Sequence, residues 1–270
     1  MDIPTDQLLV GVAAATAVAL AARRLHALTL SGAAATTLLG AIVFGVGGIA
    51  WAVPLLVFFT LSSLLSRVSK RRVLHDFTTV FEKGGQRDAG QVVANGGVAG
   101  AVVLLNLFFP NSLWYPAFVG AIAAAAADTW GTEIGVLGSG SVRSILTFRL
   151  VPPGTSGGVS AVGSVGCCAG ACSVALSGAL FVDDPTRLAL AATVAGVAGA
   201  FADSLLGATL QAGYRCPRCL SNTERKEHCG AQTELVRGVV WVNNDLVNLA
   251  CCVVGGAAAG IVLWAFGWKE

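Results

Sequence analysis

Ala123-Ala-Ala-Ala-Ala-Asp128-Thr-Trp-Gly-Thr-Glu133-Ile-Gly135 is the stretch on which the fold turns. Five alanines lead without interruption to a carboxylate, and a hydroxyl residue and a glycine follow within a turn. A second stretch, Gly199-Ala-Phe-Ala-Asp203-Ser-Leu-Leu-Gly207, repeats that order. An Asp at the centre of a membrane helix costs about 2.5–3.5 kcal/mol on insertion scales. Two such residues in matching apolar surroundings point to function. A packing role, as hydrogen-bonded carboxylates, is the rival reading.

The rest of the chain agrees with a membrane setting. Apolar residues make up 55% of the 270 and charged residues 12%, with a mean hydropathy of +0.74. Soluble domains carry about twice that charge. Gly and Ala are abundant, as expected where membrane helices pack through small residues. The start, Met1-Asp-Ile-Pro-Thr-Asp6, lacks a positive n-region, so no cleavable signal peptide is expected. The expected fold is an all-α polytopic integral membrane protein, one membrane domain over residues 1–270. About eight spans are expected, at roughly 8–22, 33–50, 51–66, 91–109, 114–136, 159–181, 188–212 and 246–266.

Charge sets the orientation. With the N-terminus outside, fifteen of the seventeen Lys and Arg residues fall on one side, and only Arg187 and Lys269 fall opposite. The positive-inside rule makes the basic side cytoplasmic. Its longer loops, at roughly 67–90, 137–158 and 213–245, are where polar chemistry can assemble. The bilayer is the expected partner, nucleic acid is not, and oligomeric state is left open.

Polar residues recur at helical spacing on that side. Lys83, Arg87, Gln91 and Asn95 are four apart, which on a helix makes one stripe running into the membrane. Snorkelling explains the two cations, but not the deeper amides; the whole stripe suits an anionic ligand. Asp128, Thr132 and Glu133 fall on one side of the fifth span, with Asp128 about 12 Å from its cytoplasmic end. Asp203 lies at similar depth in the seventh. Together Asp128, Glu133 and Asp203 are a candidate hard-cation site, of the kind Mg²⁺ uses to bridge to phosphate. Gly154-Thr155-Ser156-Gly157-Gly158, after two prolines, opens the sixth span and is a candidate phosphate cradle at a helix N-terminus. It lacks the Lys-Ser/Thr ending of a Walker loop, and on its own it reads as a turn. Asn244, Asp245 and Asn248 open the last span and are expected to face the same centre. Cys216-Pro-Arg-Cys219 with His228-Cys229 offers four ligands suited to structural Zn²⁺; free thiols or a redox pair are the alternatives. The remaining cysteines, in spans, read as small apolar residues. Gly96-Gly-Val-Ala-Gly100 and Gly157-Gly-Val-Ser-Ala161 suggest a parallel internal repeat of helix pairs, each ending in one Asp motif.

In this combination and order, Lys83-Gly-Gly-Gln-Arg87 with Gln91 and Asn95, Asp128 to Gly135, Gly154 to Gly158, Asp203 to Gly207 and Asn243-Asn-Asp-Leu-Val-Asn248 resemble the transmembrane protein 19 family. That family includes plant phytyl-phosphate kinases, and the resemblance covers roughly residues 30–255. It implies phosphorylation of an isoprenoid monophosphate, phytyl or geranylgeranyl, to the diphosphate, with CTP or ATP as donor. On that reading Asp128, Glu133 and Asp203 hold Mg²⁺–nucleotide and Asn244, Asp245 and Asn248 support them. Gly154 to Gly158 cradle phosphate, and Lys83 and Arg87 bind the acceptor or γ-phosphate. An ion-coupled carrier of a small anionic or lipid substrate is the alternative, because repeats and intramembrane acids also describe transporters. The clustering of polar residues near one face, away from the midplane, counts against it.

Overall fold

The computed structural model describes residues 4–72, 85–138 and 140–269. Lys83 and Ser139 lie outside the described residues. Eight helices are present among the described residues: α1 (Thr5–Arg24), α2 (Leu30–Gly40), α3 (Ile49–Arg72), α4 (Ala89–Phe108), α5 (Trp114–Leu137), α6 (Ala161–Ala179), α7 (Pro185–Thr209) and α8 (Asn244–Ala265). Helix α2 widens into a π-helical turn over Ala41–Val46. Six of the eight, all but α2 and α5, are long and apolar enough to cross a bilayer, and α2 with its π turn is a shorter apolar segment. The all-α polytopic expectation holds, and every expected span overlaps a helix.

Helix α5 is the axis of the molecule. Its residues from Phe118 to Ala127 are all buried, and α6, α7, α8, α3 and α4 all pack on it. Small residues make this burial feasible. A Cβ on Gly199 would lie 2.6 Å from Ala124 Cβ, and one on Gly255 2.5 Å from the same atom. Both distances are far inside van der Waals contact, so α7 and α8 approach α5 backbone to backbone. On another face, Gly163, Gly166 and Gly170 of α6 meet Gly131, Trp130 and Ala126. The alanine run before Asp128 is therefore a packing surface shared by three helices. Helix–helix association in lipid relies on such close van der Waals contact, since no hydrophobic effect drives it there.

The remaining helices form a layer beside this core. Helices α1 and α2 are an antiparallel hairpin, with Gly11 against Gly45 and Ala15 against Gly40. Pro54, in the second turn of α3, has no N–H to donate to Ala50 O. The Tyr115 hydroxyl donates to that carbonyl instead, at 3.0 Å.

Two features depart from the expected picture. Helix α4 begins at Ala89, with Asp88 as N-cap in a capping box with Gln91. Arg87 precedes the helix, and its backbone bonds to Ala27 and Thr29, so the expected helical stripe is limited to Gln91 and Asn95. The last long loop is not irregular. It folds into a three-stranded sheet, in the order β4 (Asn222–Thr223), β3 (Gly213–Arg215), β7 (Glu234–Arg237), and a hairpin of β5 (Glu227–His228) with β6 (Ala231–Gln232). A further two-residue pairing joins β1 (Arg143–Ser144) to β2 (Gly158–Val159). The two glycine segments of the suggested repeat occupy different places. Gly96 to Gly100 lie within α4, whereas Gly157 to Ala161 run through β2 into the N-cap of α6.

Candidate functional site

The two aspartates converge. Asp128 and Asp203 come within hydrogen-bonding reach of each other across the α5–α7 contact. Asp203 Oδ2 is buried and has no hydrogen-bond partner among the described residues. Two carboxylates sharing one low-dielectric site cannot both stay ionised without a compensating cation or proton. Carboxylate oxygens are the kind of donor a hard divalent cation takes. Helix α8 runs alongside: Cys251 Sγ donates to Ala124 O of α5 and Cys252 Sγ to Asn95 O of α4, both at 3.6 Å. Asn244, Asp245 and Asn248 lie one to two turns earlier on the same helix.

The glycine loop sits against α7 just beyond Asp203. Gly157 adopts φ +77°, and a Cβ there would lie 2.4 Å from Ala208 Cβ and 2.7 Å from Ser204 O. Only glycine satisfies both the left-handed backbone and this approach. Ser156 Oγ donates to Glu224 Oε1 at 2.7 Å, and Arg237 donates to Ser156 O at 3.4 Å. Glu224 in turn acts electrostatically on Asp203. Glu224, from the loop after β4, is thus a charged neighbour of this centre that sequence reasoning missed.

Glu133 belongs elsewhere. Five residues on a helix turn through about 140°, so Glu133 leaves the Asp128 face. Its Oε1 accepts from Ser66 of α3 at 2.6 Å, and it interacts with Arg87. Arg87 also donates to Ser63 Oγ at 3.3 Å and lies 5.9 Å from the Phe58 ring centroid, a cation–π arrangement. Burial pulls this guanidinium below its ordinary range, and the Glu133 charge pulls it back. Ser62 takes the Trp130 indole N–H at 3.2 Å. Ser62, Ser63 and Ser66 form a polar seam on α3, and their three- and four-residue spacing was the available signal. Thr132 is exposed and takes no part in either cluster. Gln91 Oε1 is engaged by the Asp88 N–H, and Asn95 Nδ2 donates to Gln91 O in its own helix.

Arg87, Gln91 and Asn95 nevertheless share a surface. With residues of α1, α2 and α3 they line a cavity of about 120 Å³ whose walls are almost wholly apolar. Ile49 and Leu56 in its wall are also exposed on the outer surface, so the cavity borders the region that lipid occupies.

Cys216, Cys219, His228 and Cys229 also converge, with all four ligand atoms within 4.8 Å of one another. Hydrogen bonds from the Ser221 side chain and backbone pull the exposed Cys219 thiol down to about 6.

The sequence model of the family described as integral membrane protein DUF92 matches residues 13–256. The chain belongs to that family. Among its relatives, Protein PGR of Arabidopsis thaliana is 31% identical over 274 residues, covering 91% of this chain and 92% of its own length. The uncharacterized membrane protein MJ0933 of Methanocaldococcus jannaschii is 30% identical over 254 residues, covering 93% of this chain and 92% of its own. The expected membership of a family of polytopic membrane proteins is thereby met. No solved structure matches.

Proposed function

We propose that this protein is a membrane-embedded phosphotransferase that converts an isoprenoid monophosphate to its diphosphate, with a nucleoside triphosphate as donor. The observation that carries the reading is the apolar cavity whose lining includes Arg87, Gln91 and Asn95. Such a cavity suits an amphiphile with an anionic head. Its volume accommodates the first part of a prenyl tail, and the remainder extends past Ile49 and Leu56 into lipid. The head then lies beside Arg87, and Glu133 and the α3 serines keep that guanidinium oriented.

Donor chemistry is assigned to the neighbouring centre. The Gly154–Gly158 loop holds the triphosphate against the end of α7, with Asp128 and Asp203 as ligands of a Mg²⁺ ion and Glu224 bracing the loop through Ser156. Bound there, Mg²⁺ would supply charge neutralisation on the donor phosphates. An acceptor phosphate oxygen attacks the γ-phosphorus, the bond from that phosphorus to the β–γ bridging oxygen breaks, and the nucleoside diphosphate leaves with the electron pair. The acceptor is already an oxyanion, so no general base is required. Arg87 shields the acceptor's charge as the two anions meet. The fifteen-to-two split of basic residues supports a cytoplasmic orientation for this face.

A prenyl monophosphate carrying a diazirine near its head tests the reading. Irradiated with the protein in lipid nanodiscs, it is expected to label α2, α3 or α4 around Thr36, Phe58 and Gln91, and unlabelled geranylgeranyl phosphate should compete. Labelling spread over lipid-facing residues without competition would overturn it. Uptake of the phosphate into proteoliposomes without nucleotide consumption would favour a carrier.

A further inference from the structure

We propose that Cys216, Cys219, His228 and Cys229 bind one zinc ion, and that this ion fixes the β3–β7 cap onto the Gly154–Gly158 loop. The inference stands apart from the phosphotransfer reading, because it rests on the ligands and the cap alone.

The geometry is that of two turns brought face to face. Pairing of Tyr214 with Thr223 and Arg215 with Asn222 closes the first, which presents Cys216 and Cys219. The β5–β6 hairpin, with His228 opposite Ala231, presents His228 and Cys229. Cys219 Sγ and Cys229 Sγ lie 3.4 and 3.3 Å from His228 Nδ1. In a tetrahedral site with Zn–S near 2.3 Å and Zn–N near 2.0 Å, ligand atoms are about 3.5–3.8 Å apart. The observed cluster, all within 4.8 Å, needs only small shifts: a slight lengthening of the two contacts to His228 and a contraction of its widest separations. Three thiols and one imidazole form a closed structural donor set, and soft thiolates select zinc over magnesium or calcium.

The backbone carries a second, independent sign. Leu220 and Cys229 both adopt left-handed φ, at 60° and 53°, where non-glycine residues are strained. Both positions immediately follow or form a ligand. The left-handed turn at Leu220 accompanies its N–H bond to Cys216 O at 2.9 Å, which curls the chain so that both sulfurs point inward. Arg218 braces the second turn by donating to Cys229 O at 2.8 Å. A disulfide would use two sulfurs and leave the third thiol and the imidazole without a reason to converge.

The site connects to function through two side chains. Glu224 follows β4 directly and accepts from Ser156; Arg237 ends β7 and donates to Ser156 O. Both strands pair with β3, which leads into Cys216. Fixing the sulfurs therefore fixes both clamps on the loop that lies against Asp203.

The test is metal analysis of the purified full chain, with no assay of turnover. About one zinc per chain is expected. Cys168→Ser, in the exposed face of α6, should keep it, and Cys219→Ser and Cys229→Ser should lose it. Cobalt loading should give thiolate charge-transfer absorption in the wild type. Chelation should make residues 213–243 readily cleaved by protease and expose three additional thiols to alkylation, a readout that does not require the variants to fold. Wild-type protein with no zinc and no cobalt–thiolate absorption would overturn the proposal. So would zinc content unchanged by both substitutions.

Discussion

Replacing Gly157 with Ala tests whether the glycine loop is built against α7 as described. The added Cβ meets Ala208 Cβ at 2.4 Å and Ser204 O at 2.7 Å, on a backbone with φ +77°. The left-handed conformation costs a non-glycine residue about 1–2 kcal/mol. Relieving the clash, as in overpacked cores, costs about 1–3 kcal/mol more. A total of about 2–5 kcal/mol corresponds to a fall in midpoint of about 5–15 °C for a chain of this size. Two controls divide the terms. Gly267 has φ +70° with nothing within 4 Å, so Gly267→Ala carries the conformational part alone. Gly140 has ordinary φ and only Val162 Cγ2 at 3.9 Å, so Gly140→Ala should be neutral. Thermal unfolding in detergent, followed by size-exclusion fluorescence, ranks the three. The loop can also relieve the clash by lifting off α7, in which case the melting shift shrinks and nucleotide affinity falls instead. Gly157→Ala matching Gly140→Ala in both stability and nucleotide affinity would refute the packing of this loop.

Other consequences follow from the same geometry. Asp128→Asn and Asp203→Asn should each lower turnover by about 10²–10³-fold, as for loss of a group that stabilises transition-state charge. Neither should lower the melting temperature, because each removes one of two facing acids; melting curves and phosphoryl transfer measured together check this. Arg87→Ala should raise KM for a prenyl phosphate by about 10–150-fold, the value of hydrogen bonds to a charged group. Arg87→Lys should recover only part of it, since a lysine lacks the planar guanidinium that donates to Ser63 and lies over Phe58. Ala14→Phe, which projects into the cavity wall, should raise KM for long-chain acceptors and leave a short, soluble acceptor unaffected; steady-state kinetics with both acceptors decides.

Most of the helical plan was legible because membrane helices announce themselves by unbroken apolar length, and each Asp motif lay where small residues signal close packing. Helix α5 illustrates why: its alanine run reads as apolar and small, and small residues let three neighbours reach its backbone. What escaped depended on rotation and on long-range pairing. Asp128 and Glu133 are five apart, and a sequence shows neighbours more readily than the 140° that separates them. Glu224 is ordinary in its exposed, charged surroundings; only the strand pairing that folds the last loop back carries it to Ser156. Gln91 looked like a ligand residue, and the Asp88-Ala-Gly-Gln91 spacing that makes it a capping-box partner was overlooked. The serines of α3 were hidden among leucines, where hydroxyls are common and satisfy themselves within the helix.

The most direct measurement is phosphoryl transfer by the purified protein in nanodiscs, supplied with γ-labelled CTP or ATP, Mg²⁺ and phytyl, geranylgeranyl or farnesyl monophosphate. Label in a lipid diphosphate from wild-type protein, absent with Asp128→Asn, is the predicted result. No labelled lipid with any donor or acceptor, from protein that still binds the prenyl phosphate, would contradict the account.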